Sequence, residues 1–254
     1  MTFFVFTQNF CIFAPMKIVY YIYFFLVAAP LLLTATVTAA VLTAAGSIIF
    51  GDRWWGYYPA HFWARLFCLL SLVKVEVKGR ENISADENYI FVANHQGAYD
   101  IFSIYGYLNH NFRWMMKKSL ERIPLVGYAC RKAGHIYVDH SGNSGVRHTM
   151  TDAEKELRQG MSLVIFPEGS RTFTGEVGRF KRGAVILSNE FGLPIVPITI
   201  DGAFEVMPRT AKLPRWGKIT LTIHKPVDAP SGDEKEMGEL MRSTRETIVK
   251  ALNK

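Results

Sequence analysis

Histidine and aspartate stand five positions apart in NHQGAYD (residues 94–100), directly after the apolar run YIFVA. On an unbroken helix that spacing would set the two side chains roughly 140° apart, out of each other's reach. A turn changes this. Gly97 can adopt backbone angles closed to other residues, so the chain is expected to leave a strand at Asn94 and enter a helix near Ala98. Asp100 would then lie in the first helical turn and reach back to His95. A carboxylate that accepts one imidazole N–H fixes the tautomer and leaves the second ring nitrogen as a base, the logic of the hydrolase triads. His95 and Asp100 are therefore read as a pair that removes a proton.

A second stretch, FPEGSRT (residues 166–172), follows the apolar run SLVI and turns sharply at Pro167 and Gly169. Glu168 and Arg171 leave the strand end together, where open sheets tend to bind ligands. Arg171 offers a planar fork suited to phosphate. Lys117, Lys118, Arg179, Lys181 and Arg182 also follow strand ends or turns and are candidates to line the same pocket, although any one of them alone reads as a solvated charge. No enzyme nucleophile is evident. The strings closest to a GxSxG elbow, SGNSG and PEGSR, have the wrong spacing, and neither Cys68 nor Cys130 adjoins a motif histidine. His135, His140 and His148 fall within fourteen positions but lack an HExxH or CxxC pattern, and His135 and His140 bracket a strand so as to face opposite ways. No metal site is expected. His61 and His110 read as interface or surface residues and His224 as an ordinary strand residue.

These residues need a frame. From Val73 onward, short β-like runs (VKVEVKG, YIFVAN, FRWMMKK, HIYVD, SLVIFPEG, PIVPITID, KITLTIHKP) alternate with helical stretches near 98–109, 121–133, 144–159 and 183–191. That order predicts an α/β sandwich around a mixed sheet. The tail carries Met237, Leu240, Met241, Ile248 and Leu252 on one stripe and reads as a closing helix. At 254 residues the chain suits one sizeable domain with a short extra element. Residues 1–52 are that element, a hydrophobic N-terminal membrane anchor, and residues 53–254 the domain. From Met1 to Gly51 the only charged side chain is Lys17. The uncharged run from Ile18 to Phe50 would be roughly 50 Å long as one helix, against the ~30 Å of a bilayer core, and it runs well past the ~15 apolar residues of a cleavable leader. Pro30 predicts two shorter helices or a kinked span that enters the membrane as a hairpin or crosses it once. Met16 followed by Lys17 reads as a natural start, making residues 1–15 an upstream extension. After the anchor, Trp54, Trp55, Tyr57, Tyr58 and Trp63 with two arginines make an interfacial aromatic helix. The net charge of +7 suits anionic partners. Nucleic acid is not expected among them: no zinc finger, RNP-like or helix-turn-helix pattern appears, and the anchor argues against it. Three cysteines without metal-ligand spacing point to a reducing compartment.

The chain resembles the bacterial 1-acylglycerol-3-phosphate acyltransferases of the PlsC type. NHQGAYD matches the family's NHxxxxD block, FPEGSRT its FPEGxRS/T block, IVPITI its apolar VP block, and GHIYVDHS stands where the family carries a glycine, an apolar strand and an acidic-basic pair. FKRGA at 180–184 fits the stretch after the third block, and the likeness runs from about Val73 to Ile200. The resemblance implies that His95 is the general base and Asp100 its partner, and that Glu168 and Arg171 bind the glycerophosphate acceptor. Gly169, Thr172, Lys117 and Lys181 are placed in the same substrate-binding set. It further implies transfer from an acyl carrier protein or coenzyme A thioester to lysophosphatidic acid, giving phosphatidic acid without a cofactor, at the cytoplasmic face of a bacterial inner membrane. One departure stands out. After Asp139 comes His140, where the family commonly has an arginine thought to touch the acceptor phosphate, and a histidine is only partly charged near neutrality. Lys117 is the candidate replacement for that charge. The rival readings are an acyltransferase for glycerol 3-phosphate or another lyso-lipid, and a non-catalytic lipid-binding protein of the same fold.

Overall fold

A computed structural model describes residues 15–139, 141–230 and 232–253. The expected extension before Met16 therefore lies outside the described residues except for Pro15. Helix α1, Pro15–Phe50, has a mean hydropathy of 2.2 over its most apolar window, of which 17% is buried, and is long and apolar enough to cross a membrane. It does not divide at Pro30. Proline lacks an N–H and its ring crowds the carbonyl four residues back. The helix accommodates this with a π-helical turn at Phe24–Ala28, where the Ala29 N–H bonds to Phe24 O.

Helix α2, Tyr58–Leu70, runs antiparallel to α1. Tyr20 Oη donates to Ser71 O at 3.2 Å, Tyr23 Oη to Leu70 O at 3.1 Å, and Trp63 Nε1 to Thr36 Oγ1 at 2.9 Å. The aromatic helix has two different faces. Tyr57, His61, Ala64 and Cys68 are buried toward the domain, while Phe62 and Leu69 stay exposed, as do Ile18, Leu26 and Leu33 of α1.

The domain is built on a seven-stranded sheet in the order β1-β7-β6-β2-β5-β3-β4. The strands are β1 Val73–Lys78, β2 Ile90–Ala93, β3 Phe112–Lys117, β4 Ile136–Val138, β5 Ser162–Ile165, β6 Ile195–Asp201 and β7 Gly217–Ile223. All neighbours are parallel except β6 and β7, so the sheet is mixed as expected. Its helices are α3 Tyr99–Tyr107, α4 Val126–Lys132, α5 Gly142–Arg158, α6 Gly183–Phe191 and α7 Glu234–Leu252. Alternation along β2 divides the core in two: Phe91 and Ala93 pack with α2 and α3, Ile90 and Val92 with α5, α6 and α7.

His61 and His110, expected at an interface or the surface, are both buried, each with a hydrogen-bond partner in place of water. His61 Nδ1 bonds to Tyr105 O at 2.9 Å and His110 Nε2 to Ser162 Oγ at 2.8 Å. His135 accepts the Trp114 N–H at Nδ1 and meets Tyr105 Oη at Nε2, so it too is neutral. Burial lowers His110 to about 4 and His135 to about 3. His148 lies apart on exposed α5 beside Asp152, and His140 is outside the described residues. Among the described residues no group of three or more His, Cys, Asp and Glu could hold a metal ion.

Candidate active site

Strands β2 and β5 are parallel neighbours with Val92 beside Ile165, so the segments that follow them emerge side by side at one sheet edge. The first carries His95, the second Phe166 and Glu168. Where β2 stops, the side chain of the fully buried Asn94 stands in for one more peptide unit, its Nδ2 donating to Ile200 O and its Oδ1 accepting the Ile200 N–H, both at 2.8 Å. The chain then turns into α3. Asp100, with no exposed surface, sends Oδ2 back to His95 Nδ1 at 2.7 Å and accepts the N–H groups of Gln96 and Gly97 on the same oxygen at 2.6 and 2.8 Å. One carboxylate thus fixes both the turn and the ring.

Gly97 serves this turn in another way than expected. Its φ is not in the left-handed region. What it supplies is space, since a Cβ there would lie 2.2 Å from Ala203 O, in the segment that returns after β6. That segment pairs with the turn through the Gly97–Pro208 bridge and the Ala98 N–H to Met207 O bond of 3.0 Å.

The FPEGSRT loop closes the other side. Phe166 stacks on the His95 ring at 4.0 Å between centroids with planes 8° apart, and itself stacks on Trp114 at 5.4 Å. Glu168 spends both oxygens on backbone N–H groups, Oε1 on His95 and Oε2 on Gly178, each at 2.8 Å. Burial pushes its carboxyl above the ordinary range, and those two bonds oppose the shift. Thr172 N–H donates to His95 O at 3.0 Å. Gly169 does use a positive φ, +76°, and a Cβ on it would meet Lys181 Nζ at 2.8 Å, which sets the ammonium over the loop.

The structure therefore brings His95, Asp100, Glu168, Gly169, Thr172 and Lys181 together. Arg171 belongs to the same loop and has no carboxylate partner among the described residues. Lys117 is exposed at the end of β3, paired in register with Val138 at the same sheet edge, and makes no bond to the His95 cluster. Two other basic candidates are neutralised: Lys118 bonds Asp139 at 2.5 Å, holding that carboxyl well below its usual range, and Arg182 bonds Glu234 at 2.6 Å. Sequence reasoning did not single out Asn94, Gln96 or Phe166, which the structure places around His95. Arg209 Nη1 donates to Arg171 O at 3.2 Å. Burial pushes the Cys68 thiol up to about 12 and Cys130 to about 11, so neither is a thiolate at neutral pH.

Comparison with known proteins agrees with this geometry. The acyltransferase family model matches residues 74–201, about half of the chain. The chloroplastic 1-acyl-sn-glycerol-3-phosphate acyltransferase of Arabidopsis thaliana is 30% identical over 178 residues, 68% of this chain and 50% of its own length. The enzyme of the same designation from Borreliella burgdorferi is 30% identical over 184 residues, 72% of this chain and 73% of its own. This chain spans about half the length of the chloroplast relatives it matches. The crystal structure of the 1-acyl-sn-glycerophosphate (LPA) acyltransferase PlsC from Thermotoga maritima superposes with a TM-score of 0.73 at 26% identity, covering 93% of this chain and 94% of that one. With the family's domain spanning β1 to β6 and enclosing both strand-end motifs, the chain belongs to the acyltransferase family.

Proposed function

We propose that this protein transfers an acyl group from an acyl thioester, on acyl carrier protein or coenzyme A, to the sn-2 hydroxyl of lysophosphatidic acid, giving phosphatidic acid. The observation that carries the reading is the 2.7 Å contact between His95 Nδ1 and the buried Asp100. It leaves Nε2 as the proton acceptor in a ring held flat by Phe166. In the proposed reaction Nε2 takes the proton of the acceptor hydroxyl as its oxygen attacks the thioester carbonyl. Collapse of the tetrahedral intermediate breaks the C–S bond, and the imidazolium returns the proton to the departing thiolate. No covalent enzyme intermediate and no cofactor are needed. The N–H groups of His95, Gln96, Gly97 and Ala98 are engaged by Glu168, Asp100 and Met207 O. The oxyanion donors are therefore assigned to backbone N–H groups of the FPEGSRT loop.

Arg171 is assigned to the acceptor phosphate, with Lys117 and Lys181 adding positive charge around it. The relatives named above as 1-acyl-sn-glycerol-3-phosphate acyltransferases support the acceptor. Helix α1 supports work at a membrane, where acceptor and product reside, and the cytoplasmic face is proposed because thioester donors are made there. The test is a matrix of purified full-length protein with acyl-coenzyme A or acyl carrier protein thioesters against lysophosphatidic acid, glycerol 3-phosphate and monoacylglycerol, read by product mass. Phosphatidic acid from lysophosphatidic acid is expected, and His95→Ala should lower its rate by about 10²–10⁴-fold. Turnover on glycerol 3-phosphate alone would replace this acceptor, and an undiminished His95→Ala would remove the base.

A further inference from the structure

Arg209 lies in none of the sequence motifs, yet the fold delivers it to the mouth of the site. The segment after β6 returns across the catalytic turn, with Pro208 bridged to Gly97 and Met207 O bonded to the Ala98 N–H at 3.0 Å. The next residue, Arg209, steps onto the FPEGSRT loop. Its Nη1 donates to Arg171 O at 3.2 Å, and its guanidinium carbon sits 4.2 Å from the centroid of Phe173, a ring that is 64% exposed. Thr172, between Arg171 and Phe173, donates its N–H to His95 O at 3.0 Å. One guanidinium is thus a single peptide unit from the backbone that holds the base.

Arg209 is exposed and yet held in one orientation. Arg209 is fixed at one N–H and over one ring face, and its other N–H groups have no partner among the described residues. Arg209 comes from the segment after β6 and meets the FPEGSRT loop at the Arg171 carbonyl, while Lys181 Nζ lies over Gly169 of that loop and the Glu168 carboxylate has both oxygens on backbone N–H groups. Basic side chains on two adjoining segments favour an anion that reaches both. A guanidinium pre-oriented by ring stacking presents its remaining donors as a fork matched to phosphate oxygens.

We propose that Arg209 binds the phosphate of the acyl acceptor together with Arg171, so that phosphate-bearing acceptors are selected from two loops at once. The inference rests on the acyl-transfer reading and deepens it. In lysophosphatidic acid the reacting hydroxyl is separated from phosphorus by the short C2–C3–O–P linkage. A hydroxyl at His95 therefore requires its phosphate close by, on the loop that His95 touches. The same chemistry could engage the phosphodiester of a bilayer lipid through the exposed Phe173 edge, and the test separates the two.

The experiment uses the full-length protein in neutral detergent micelles, with Arg209→Gln and Arg209→Lys. Lysophosphatidic acid binding is measured first without donor, then turnover with donor. Arg209→Gln is expected to weaken binding and raise KM for lysophosphatidic acid roughly tenfold or more. Its kcat and its KM for the thioester should stay within about twofold, and Arg209→Lys, which keeps charge but not the fork, should fall between. Inorganic phosphate should compete with the acceptor in wild type and less well in Arg209→Gln. Unchanged acceptor binding, or an equal loss in kcat for every substrate as from a mere loop brace, overturns the proposal. So does loss of binding to phosphatidylglycerol vesicles with KM for micellar acceptor unaltered, which would assign the residue to the bilayer. A wild type that binds lysophosphatidic acid tenfold better than Arg209→Gln but transfers no acyl group would sink the acyl-transfer reading and leave the phosphate site standing.

Discussion

At the scale of single residues, the site depends on how its polar groups are distributed between structure and chemistry. Asp100 holds the imidazole and two N–H groups of the turn with one oxygen. Glu168, placed by the resemblance among the acceptor ligands, instead has each oxygen on a backbone N–H, which makes it a positioning residue for the His95 peptide. Glu168→Gln would turn one acceptor oxygen into an NH2 group facing an N–H, so at least one of the two bonds is lost. We expect kcat to fall about tenfold or more, as loss of a bond to a charged group implies, with KM for lysophosphatidic acid within about twofold. A variant with raised acceptor KM and normal kcat would return Glu168 to substrate binding. The two carboxylates also mark what one chain can reveal. Asp100 and His95 are joined by a single turn, so their meeting could be argued from spacing, glycine and helix start. Glu168 reaches His95, and Phe166 covers it, only because β2 and β5 are neighbours with Val92 beside Ile165, a register that no local pattern specifies.

At the scale of elements, two patterns made the strands readable: β2, β5 and β6, buried on both faces, are short apolar runs bounded by turns, while β1 and β7 at one side of the sheet alternate. Boundaries and breaks were less legible. The helix expected over 121–133 begins at Val126, since Pro124 disfavours helical angles in the residue before it and a 3-10 turn occupies Lys118–Arg122. Where two helices or a kinked span were expected at Pro30, the helix continues through a widened turn, with α2 packed along it on both sides, at Tyr20 and Tyr23 before and Thr36 after. Nothing local could have placed Arg113, whose fully buried guanidinium joins three elements. It donates to Asp52 O at 3.0 Å in the link after α1, lies 3.7 Å from the Asp52 carboxylate, and faces Glu156 of α5 at 3.4 Å. Burial raises the Glu156 carboxyl, and Arg113 opposes that shift. Arg113→Met would strand Glu156 and should destabilise the protein by about 3–5 kcal/mol, whereas Arg113→Met with Glu156→Leu should recover most of the loss. Denaturant unfolding in detergent measures both. A single variant as stable as wild type, or a double no better than the single, contradicts the account.

At the scale of the whole molecule, the apolar helices are tied by hydrogen bonds to the sheet edge that carries His95 and Asp100. Ser71, at the end of α2, accepts Tyr20 Oη of α1 on its carbonyl and Tyr99 Oη on its hydroxyl, and Tyr99 is the residue before Asp100. Helix α1 therefore reaches the His95–Asp100 pair through two hydrogen bonds and one peptide link, a connection invisible in a sequence that separates Tyr20 from Tyr99 by the whole hairpin. The same interior sets how the molecule responds to acid. His110 and His135 are buried and neutral, with pKa values lowered from 6.5 to about 4 and about 3. The unfolded chain binds protons at both positions once pH drops below about 6.5, while the folded chain does not. A base with a depressed folded pKa adds stability above the unfolded value, and that stability is lost as pH falls toward the folded one. Stability should thus be flat from these groups above about pH 6.5 and decline below it by up to about 1.4 kcal/mol per pH unit for each histidine. His110→Asn, although less stable at pH 7 for want of its full bond to Ser162, should show a shallower decline between pH 6.5 and 4.5 than wild type. Denaturant midpoints at several pH values give both slopes, and equal slopes would mean that His110 takes up its proton without unfolding the domain.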